Sequence, residues 1–264
     1  MQTVTINTLN TLKQDGKKFP VITAYDASFS RLVERAGIEV VLVGDSLGNV
    51  IQGHNSTVPV DMDDMIYHVQ AVCRGNKKSL IIADLPFMSY ATEEQTMANA
   101  ADLMQAGAHM VKLEGGSWLE ESILMLSERG IPVCGHLGLT PQSVNKFGGY
   151  KVQGRTEEAA EQMVQDAHLL EQAGIDLLVL ECVPTPLASK ISRELNIPVI
   201  GIGAGPNTDA QVLVIYDLLG LSPRQPKFSK NFLANTNSIE NALIAYADEV
   251  RSGTFPTPEH SFKS

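Results

Sequence analysis

The chain has 264 residues, 44% of them hydrophobic and 19% charged, and its 30 acidic residues against 20 basic ones give a formal net charge of −10. That acidity argues against nucleic acid or an anionic membrane as the main partner. The length fits one large α/β domain or two small ones, and with no linker or composition break a single domain over residues 1–264 is expected. No apolar run approaches the roughly 18 residues of a membrane span, no signal-peptide core opens the chain, and Cys73, Cys134 and Cys182 form no CxxC pair, which reads as free thiols in a cytoplasmic protein.

Along the chain, the first 18 residues are expected to form a short extra helix. Short aliphatic runs then follow at 20–24, 39–44, 80–84, 108–113, 131–136, 175–181, 197–202 and, less clearly, 211–216. Each is rich in Val, Ile and Leu, the pattern of strands buried on both faces in a parallel sheet. Helical spacing separates most of them: Phe29, Leu32, Val33 and Ala36; Met97, Ala100, Ala101 and Met104; Ala160, Met163, Val164 and Ala167. Thr92 with Gln95, and Ser117 with Glu120, have the spacing of helix-opening capping boxes. The stretches AGIEVVLVGD, AGAHMVKLEG and AGIDLLVLEC each place a glycine where a helix would end in a left-handed cap, with a strand directly after it. A βα unit repeated in this way over such a length predicts a (β/α)₈ TIM barrel, with a doubly wound open sheet as the competing architecture. LSPRQPKFSKNF (221–232) reads as a loop, and SGTFPTPEHSFKS as an irregular C-terminal extension.

The aliphatic runs finish on charge. VVLVGDSLG reaches Asp45 and Ser46, LIIADLP reaches Asp84, MVKLEGG carries Lys112 and Glu114, IPVCGHLG carries His136, and LLVLECV carries Glu181. In a barrel of parallel strands these ends meet on one face, where such barrels keep their active sites. Taken singly, each acid is equally a solvated loop residue or a helix N-cap. Asp45, Asp84 and Glu114 at equivalent points of three units call for a counter-charge, and oxygen ligands without a Cys or His cluster favour a hard ion such as Mg²⁺ over Zn²⁺. Lys112 stands two residues before Glu114, so both side chains leave the strand on the same side. Lys112 is then a cation for a substrate carboxylate or oxyanion, or an interior neutraliser of the acids. His136 could orient substrate, donate a hydrogen bond, ligate metal or be structural. Glu181, in its apolar setting, suits a general base or acid. The glycine-rich PVIGIGAGPNT (198–208) could cradle phosphate or merely permit a tight turn.

Longer stretches carry a resemblance. VITAYDASFS, VGDSLGNVIQGHNST, ADLPFMSYAT, VKLEGG, VCGHLGLTPQSVNKFGGYKVQGR, LECVP, IPVIGIGAGPNTDAQVLV and PKFSKNF, spanning roughly residues 20 to 235, resemble the ketopantoate hydroxymethyltransferases. The resemblance implies a barrel of the phosphoenolpyruvate/pyruvate type and a Mg²⁺-stabilised enolate. It implies transfer of a one-carbon unit from 5,10-methylenetetrahydrofolate to 3-methyl-2-oxobutanoate, giving ketopantoate for pantothenate synthesis. It matches the metal-binding acids to Asp45, Asp84 and Glu114, and the oxo-acid contacts to Ser46, Asp84 and Lys112 with His136 nearby; Asp45 is counted with the substrate-binding residues as well. It matches the general base to Glu181 and implies a homo-oligomer, a decamer. No residue here announces a folate site. Other Mg²⁺-dependent barrels acting on 2-oxo acids would share the carboxylates, but those families usually carry a KKCGH-like loop where this chain has GHLGLTPQSV. A metabolite-binding scaffold would be expected to have a damaged set of acids, and a sugar-phosphate enzyme would rest on GIGAG alone.

Overall fold

In the computed structural model, which describes residues 3–263, the aliphatic runs are parallel strands: β1 (Phe19–Thr23), β2 (Val40–Val43), β3 (Leu80–Asp84), β4 (Met110–Glu114), β5 (Val133–Gly138), β6 (Leu177–Glu181), β7 (Val199–Ile202) and β8 (Ala210–Leu213). They pair in chain order, and β8 returns to β1 to close the barrel. The helices are α1 (Ile6–Gln14), α2 (Ala27–Arg35), α3 (Leu47–Val50), α4 (Met62–Gly75), α5 (Glu93–Ala106), α6 (Glu120–Glu128), α7 (Val144–Phe147), α8 (Glu157–Ala173), α9 (Thr185–Glu194), α10 (Ile215–Leu218) and α11 (Ile239–Ser252). The open doubly wound sheet is thereby excluded. Met1, Gln2 and Ser264, which the single-domain expectation also covers, lie outside the described residues.

Strand parity divides the apolar residues into two cores. Val40 and Leu42, Leu80 and Ile82, Met110, Cys134, Leu177 and Val179 fill the barrel interior. Their neighbours Val41, Val43, Ile81, Ala83, Val111, Leu178 and Leu180 face the helix layer. Period-two alternation is therefore present within runs that look uniformly aliphatic, because both faces are dry. Val4 and Leu9, on and before α1, join the interior cluster, so the extra N-terminal helix plugs the barrel's lower end. Its Lys13 pairs with Asp209 at 2.8 Å, beside the entry to β8.

Gly107 and Gly174 cap α5 and α8 in the left-handed region, at φ 115° and 107°, and Gly37 follows α2 at φ 72°. Thr92 accepts the Gln95 N–H as expected of an N-cap. The expected cap at Ser117 is not formed. Residues Ser117–Leu119 make a 3₁₀ turn that runs straight into α6, and the Ser117 N–H donates to Asp166 instead. Among the described residues no helix separates β7 from β8; residues 203–209 connect them directly. The seam between β8 and β1 is covered by α11, whose buried Tyr246 hydroxyl lies 2.8 Å from the carbonyls of both Val21 and Gln211.

Candidate active site

The parity that fills the barrel with Ile82, Met110, Cys134 and Val179 continues, two residues on, to Asp84, Lys112, His136 and Glu181, and from Lys112 to Glu114. These positions are interior ones that have run out of barrel, so their side chains project into its mouth. Register then pairs them across strands: Asp84 faces Lys112, Glu114 faces His136, and Gly138 faces Glu181. Asp45 and Ser46 follow β2 at the head of α3, and the Asp45 N–H donates to Asp84 Oδ2 at 3.1 Å. All seven line one cavity of about 1310 Å³. The structure brings together every site residue read from the sequence.

Charge in the mouth is interleaved. Lys112 Nζ lies 2.8 Å from Asp84 Oδ1 and 3.6 Å from Glu114 Oε1. His136 bridges two acids, with Nδ1 3.3 Å from Glu114 and Nε2 3.4 Å from Glu181. Among the described residues neither ring nitrogen makes a well-directed hydrogen bond, and Asp84 Oδ1 makes none either, so these contacts are ion pairs held by charge. Asp45, Asp84, Lys112, Glu114 and His136 are all buried, whereas the Glu181 side chain is 15% exposed to the cavity.

The electrostatic consequences diverge. Burial, reinforced by the charges of Asp84 and Glu114, pushes the Asp45 carboxyl well above the usual range. Burial raises Asp84 too, against the pull of Lys112. Burial also works on Glu114, but the nearby His136 and Lys112 outweigh it and hold that carboxyl below its ordinary value. Lys112 would lose its proton to burial alone; the carboxylates of Asp84, Glu114 and Asp45 instead hold it above the ordinary ammonium value. His136, depressed by burial and by Lys112, is carried by Glu114 and Glu181 up to about 9.

The ketopantoate hydroxymethyltransferase family model matches residues 3–258. The chain belongs to this family. A relative from Saccharophagus degradans, named 3-methyl-2-oxobutanoate hydroxymethyltransferase, is 62% identical over 259 residues, covering 98% of this chain and 96% of its own. One of the same name from Marinobacter nauticus is 60% identical over 262 residues, covering 99% of each. Among solved structures, 2,3-dimethylmalate lyase, a PEP mutase/isocitrate lyase superfamily member, aligns with a TM-score of 0.60 at 15% identity over 83% of this chain and 84% of its own. Phosphonopyruvate hydrolase in complex with oxalate and Mg²⁺ aligns at 0.61 and 12% identity, over 80% and 81%. These two share the barrel fold.

For a ketopantoate hydroxymethyltransferase family member, the mouth suits a hard cation on one side. Among the described residues Asp45 Oδ1 accepts no hydrogen bond, which leaves an oxygen of a buried carboxylate open to a divalent ion. The three acids do not converge at ligand spacing, however. Lys112 stands between Asp84 and Glu114, and Glu114 Oε2 is taken by the Gln142 N–H at 3.1 Å. Asp84 is engaged too, with Oδ1 2.8 Å from Lys112 Nζ and Oδ2 accepting the Asp45 N–H, so among the described residues Asp45 Oδ1 is the oxygen of the three acids that no neighbour holds.

Gln142 was not singled out from the sequence. It lies in the 3₁₀ turn Pro141–Ser143 and is buried. Its Nε2 donates to Asp45 Oδ2 at 2.8 Å and to Leu85 O at 3.0 Å, and its Oε1 accepts the Tyr90 hydroxyl. With both amide hydrogens aimed at acceptors, the orientation of the amide is fixed. The Tyr25 hydroxyl likewise lies 2.9 Å from Ser46 Oγ. After Glu181 the chain bends at Cys182, a non-glycine residue at φ 48°. Its N–H bonded to Ile202 O and its carbonyl bonded to the Gln153 N–H hold this uncommon conformation in place.

Proposed function

We propose that the chain transfers a hydroxymethyl group from 5,10-methylenetetrahydrofolate to 3-methyl-2-oxobutanoate, forming ketopantoate for pantothenate synthesis. The observation that carries this reading is the convergence of two cations, Lys112 and His136, with the carboxylates of Asp45, Asp84, Glu114 and Glu181 in one cavity. The oxo acid needs both signs: cations for its carboxylate and keto oxygen, and a base for the C3 proton.

Asp45 and Asp84 would hold Mg²⁺, with Glu114 behind them through a water. Bound there, the ion supplies Lewis-acid polarisation of the oxo acid. The remaining work falls to the chain's own residues. Ser46 and Lys112 bind the substrate's oxygens. Glu181, the most accessible of the acids, takes the proton from C3. Lys112 and His136, both cationic at neutral pH, oppose the negative charge that moves onto the keto oxygen as that proton leaves. The nucleophilic C3 attacks the methylene carbon of the folate. Net addition of one water gives the hydroxymethyl group and releases tetrahydrofolate. Action as a single barrel domain, assembly as a homo-oligomer of decameric type and a cytoplasmic location belong to the same reading. Among the described residues no helix is long and apolar enough to cross a membrane.

Incubation with 3-methyl-2-oxobutanoate, methylenetetrahydrofolate and Mg²⁺, with the product weighed by mass spectrometry, tests the reaction; no ketopantoate mass overturns it. Exchange of the C3 proton with deuterated water, followed by NMR without folate, isolates the base. Glu181→Gln should slow that exchange by about 10²–10⁴-fold. Exchange at the parent rate would remove Glu181 from the role.

A further inference from the structure

The glycine turn after β7 is occupied by the chain itself. Gly203 has φ 61°, and a Cβ there would stand 3.0 Å from Cε2 of Phe262 and 3.1 Å from Cδ1 of Phe228. Gly205, at φ 82°, leaves room for the Thr185 side chain. Thr185 in turn donates from both N and Oγ1 to Phe262 O, each at 3.1 Å. Lys227 Nζ donates to Ser261 O at 2.8 Å and sits 4.9 Å from the centre of the Phe262 ring. The space above the glycines, where a phosphate would have to enter, therefore holds two phenyl rings. These glycines make a seat for the C-terminal extension.

That seat is also cavity wall, since Phe228 and Phe262 line the same cavity as the acids. A five-carbon oxo acid held by Asp84, Lys112 and Ser46 fills only a small part of about 1310 Å³. The rest, bounded by Tyr150, Tyr216, Arg224 and the two phenyl rings, is left for a larger partner.

We propose that the strap 257–262, clamped on the glycine turn by Thr185 and Lys227, is a working wall of the cavity, and that Phe262 determines specificity for the larger substrate by offering its ring to a flat heteroaromatic group. The inference rests on the two-substrate reaction above, which divides into a step that needs no folate and one that does. Aromatic contacts of this kind contribute enough to change affinity roughly 3- to 10-fold.

Phe262→Ala should raise KM for methylenetetrahydrofolate by about that factor, while C3 proton exchange in the oxo acid alone keeps the parent rate. Phe262→Leu, which retains bulk to hold the strap but has no flat face, should show the same rise and guards against misfolding of the alanine variant. An unchanged KM in both Phe262 variants overturns the proposal, as does a leucine variant that behaves like the parent. Loss of proton exchange together with the full reaction also overturns it, since the strap would then merely support the acid ring. A parent protein showing neither exchange nor product fails earlier, at the two-substrate reaction itself.

Discussion

Replacing Lys112 with methionine keeps the buried stem and removes the charge. In the parent, Nζ lies 2.8 Å from Asp84 and 3.6 Å from Glu114, and all three side chains are at most 4% exposed. Water cannot take over the lost charge, so two carboxylates are left buried without it. Breaking a buried pair in this way costs about 3–5 kcal/mol. At about 2–4 °C per kcal/mol for a chain of this size, the melting temperature should fall by about 6–20 °C in metal-free buffer. The sign of the pH dependence follows from the carboxyls left behind. Asp45 and Asp84 already have raised folded-state values, and losing Lys112 raises them further. The folded variant then holds protons that the unfolded chain has released. Its stability falls as pH rises through those raised values, and the deficit narrows towards about pH 5. A divalent cation should substitute in part, so Mg²⁺ should raise the melting temperature of the variant more than that of the parent. Differential scanning calorimetry from about pH 5 to about pH 8, with and without Mg²⁺, reads all of this. A metal-free variant melting within about 2 °C of the parent at neutral pH would refute the view that Lys112 neutralises the acids.

Gln142→Leu strips the donors from Asp45 Oδ2 and Leu85 O. Two orphaned buried acceptors predict a loss of about 2–6 kcal/mol by urea denaturation. Disturbing the support of Asp45 predicts Mn²⁺ affinity weakened about 10–100-fold by electron paramagnetic resonance. In metal-free protein the His136 imidazole should titrate near its raised value of about 9, visible by NMR. Because that value lies above the ordinary one near 6.5, the stability His136 contributes is full below about pH 6.5 and disappears as pH rises through about 9, and His136→Asn should flatten this decline. Tyr246→Phe leaves the carbonyls of Val21 and Gln211 without their shared donor and should lower unfolding free energy by about 1–3 kcal/mol in denaturant titrations.

Strand ends were legible because one rule governs them all. Interior parity carries apolar side chains up the barrel until the mouth, where Asp84, Lys112, Glu114, His136 and Glu181 occupy the next interior positions, so a sequence break from aliphatic to charged marks the rim. Gln142 escaped because it belongs to a turn, outside any period, and its partners Asp45, Leu85, Tyr90 and Glu114 come from three earlier βα units. Nothing local marks an amide as the tie among them. The glycine turn was open to two readings for a related reason: its occupant, Phe262, comes from the far end of the chain. The cap expected at Ser117 failed differently. The spacing of Ser and Glu is the same for an α start and for a 3₁₀ turn entering a helix, and only tertiary placement beside Asp166 separates them.

The seam between β8 and β1 sets the order in which this protein can be made. β1 finds one neighbour in β2 almost at once, but its other edge waits for Ala210–Leu213 and for the Tyr246 hydroxyl, 225 residues beyond Val21. Every acid and cation of the mouth, from Asp45 to Glu181, has by then been synthesised. On the ribosome they sit on an open, curling sheet with a bare edge at β1, free to pair with other chains. The ring of charge at the mouth is therefore closed only after translation has passed α11. Chains truncated before α11 would be stranded at the same open stage.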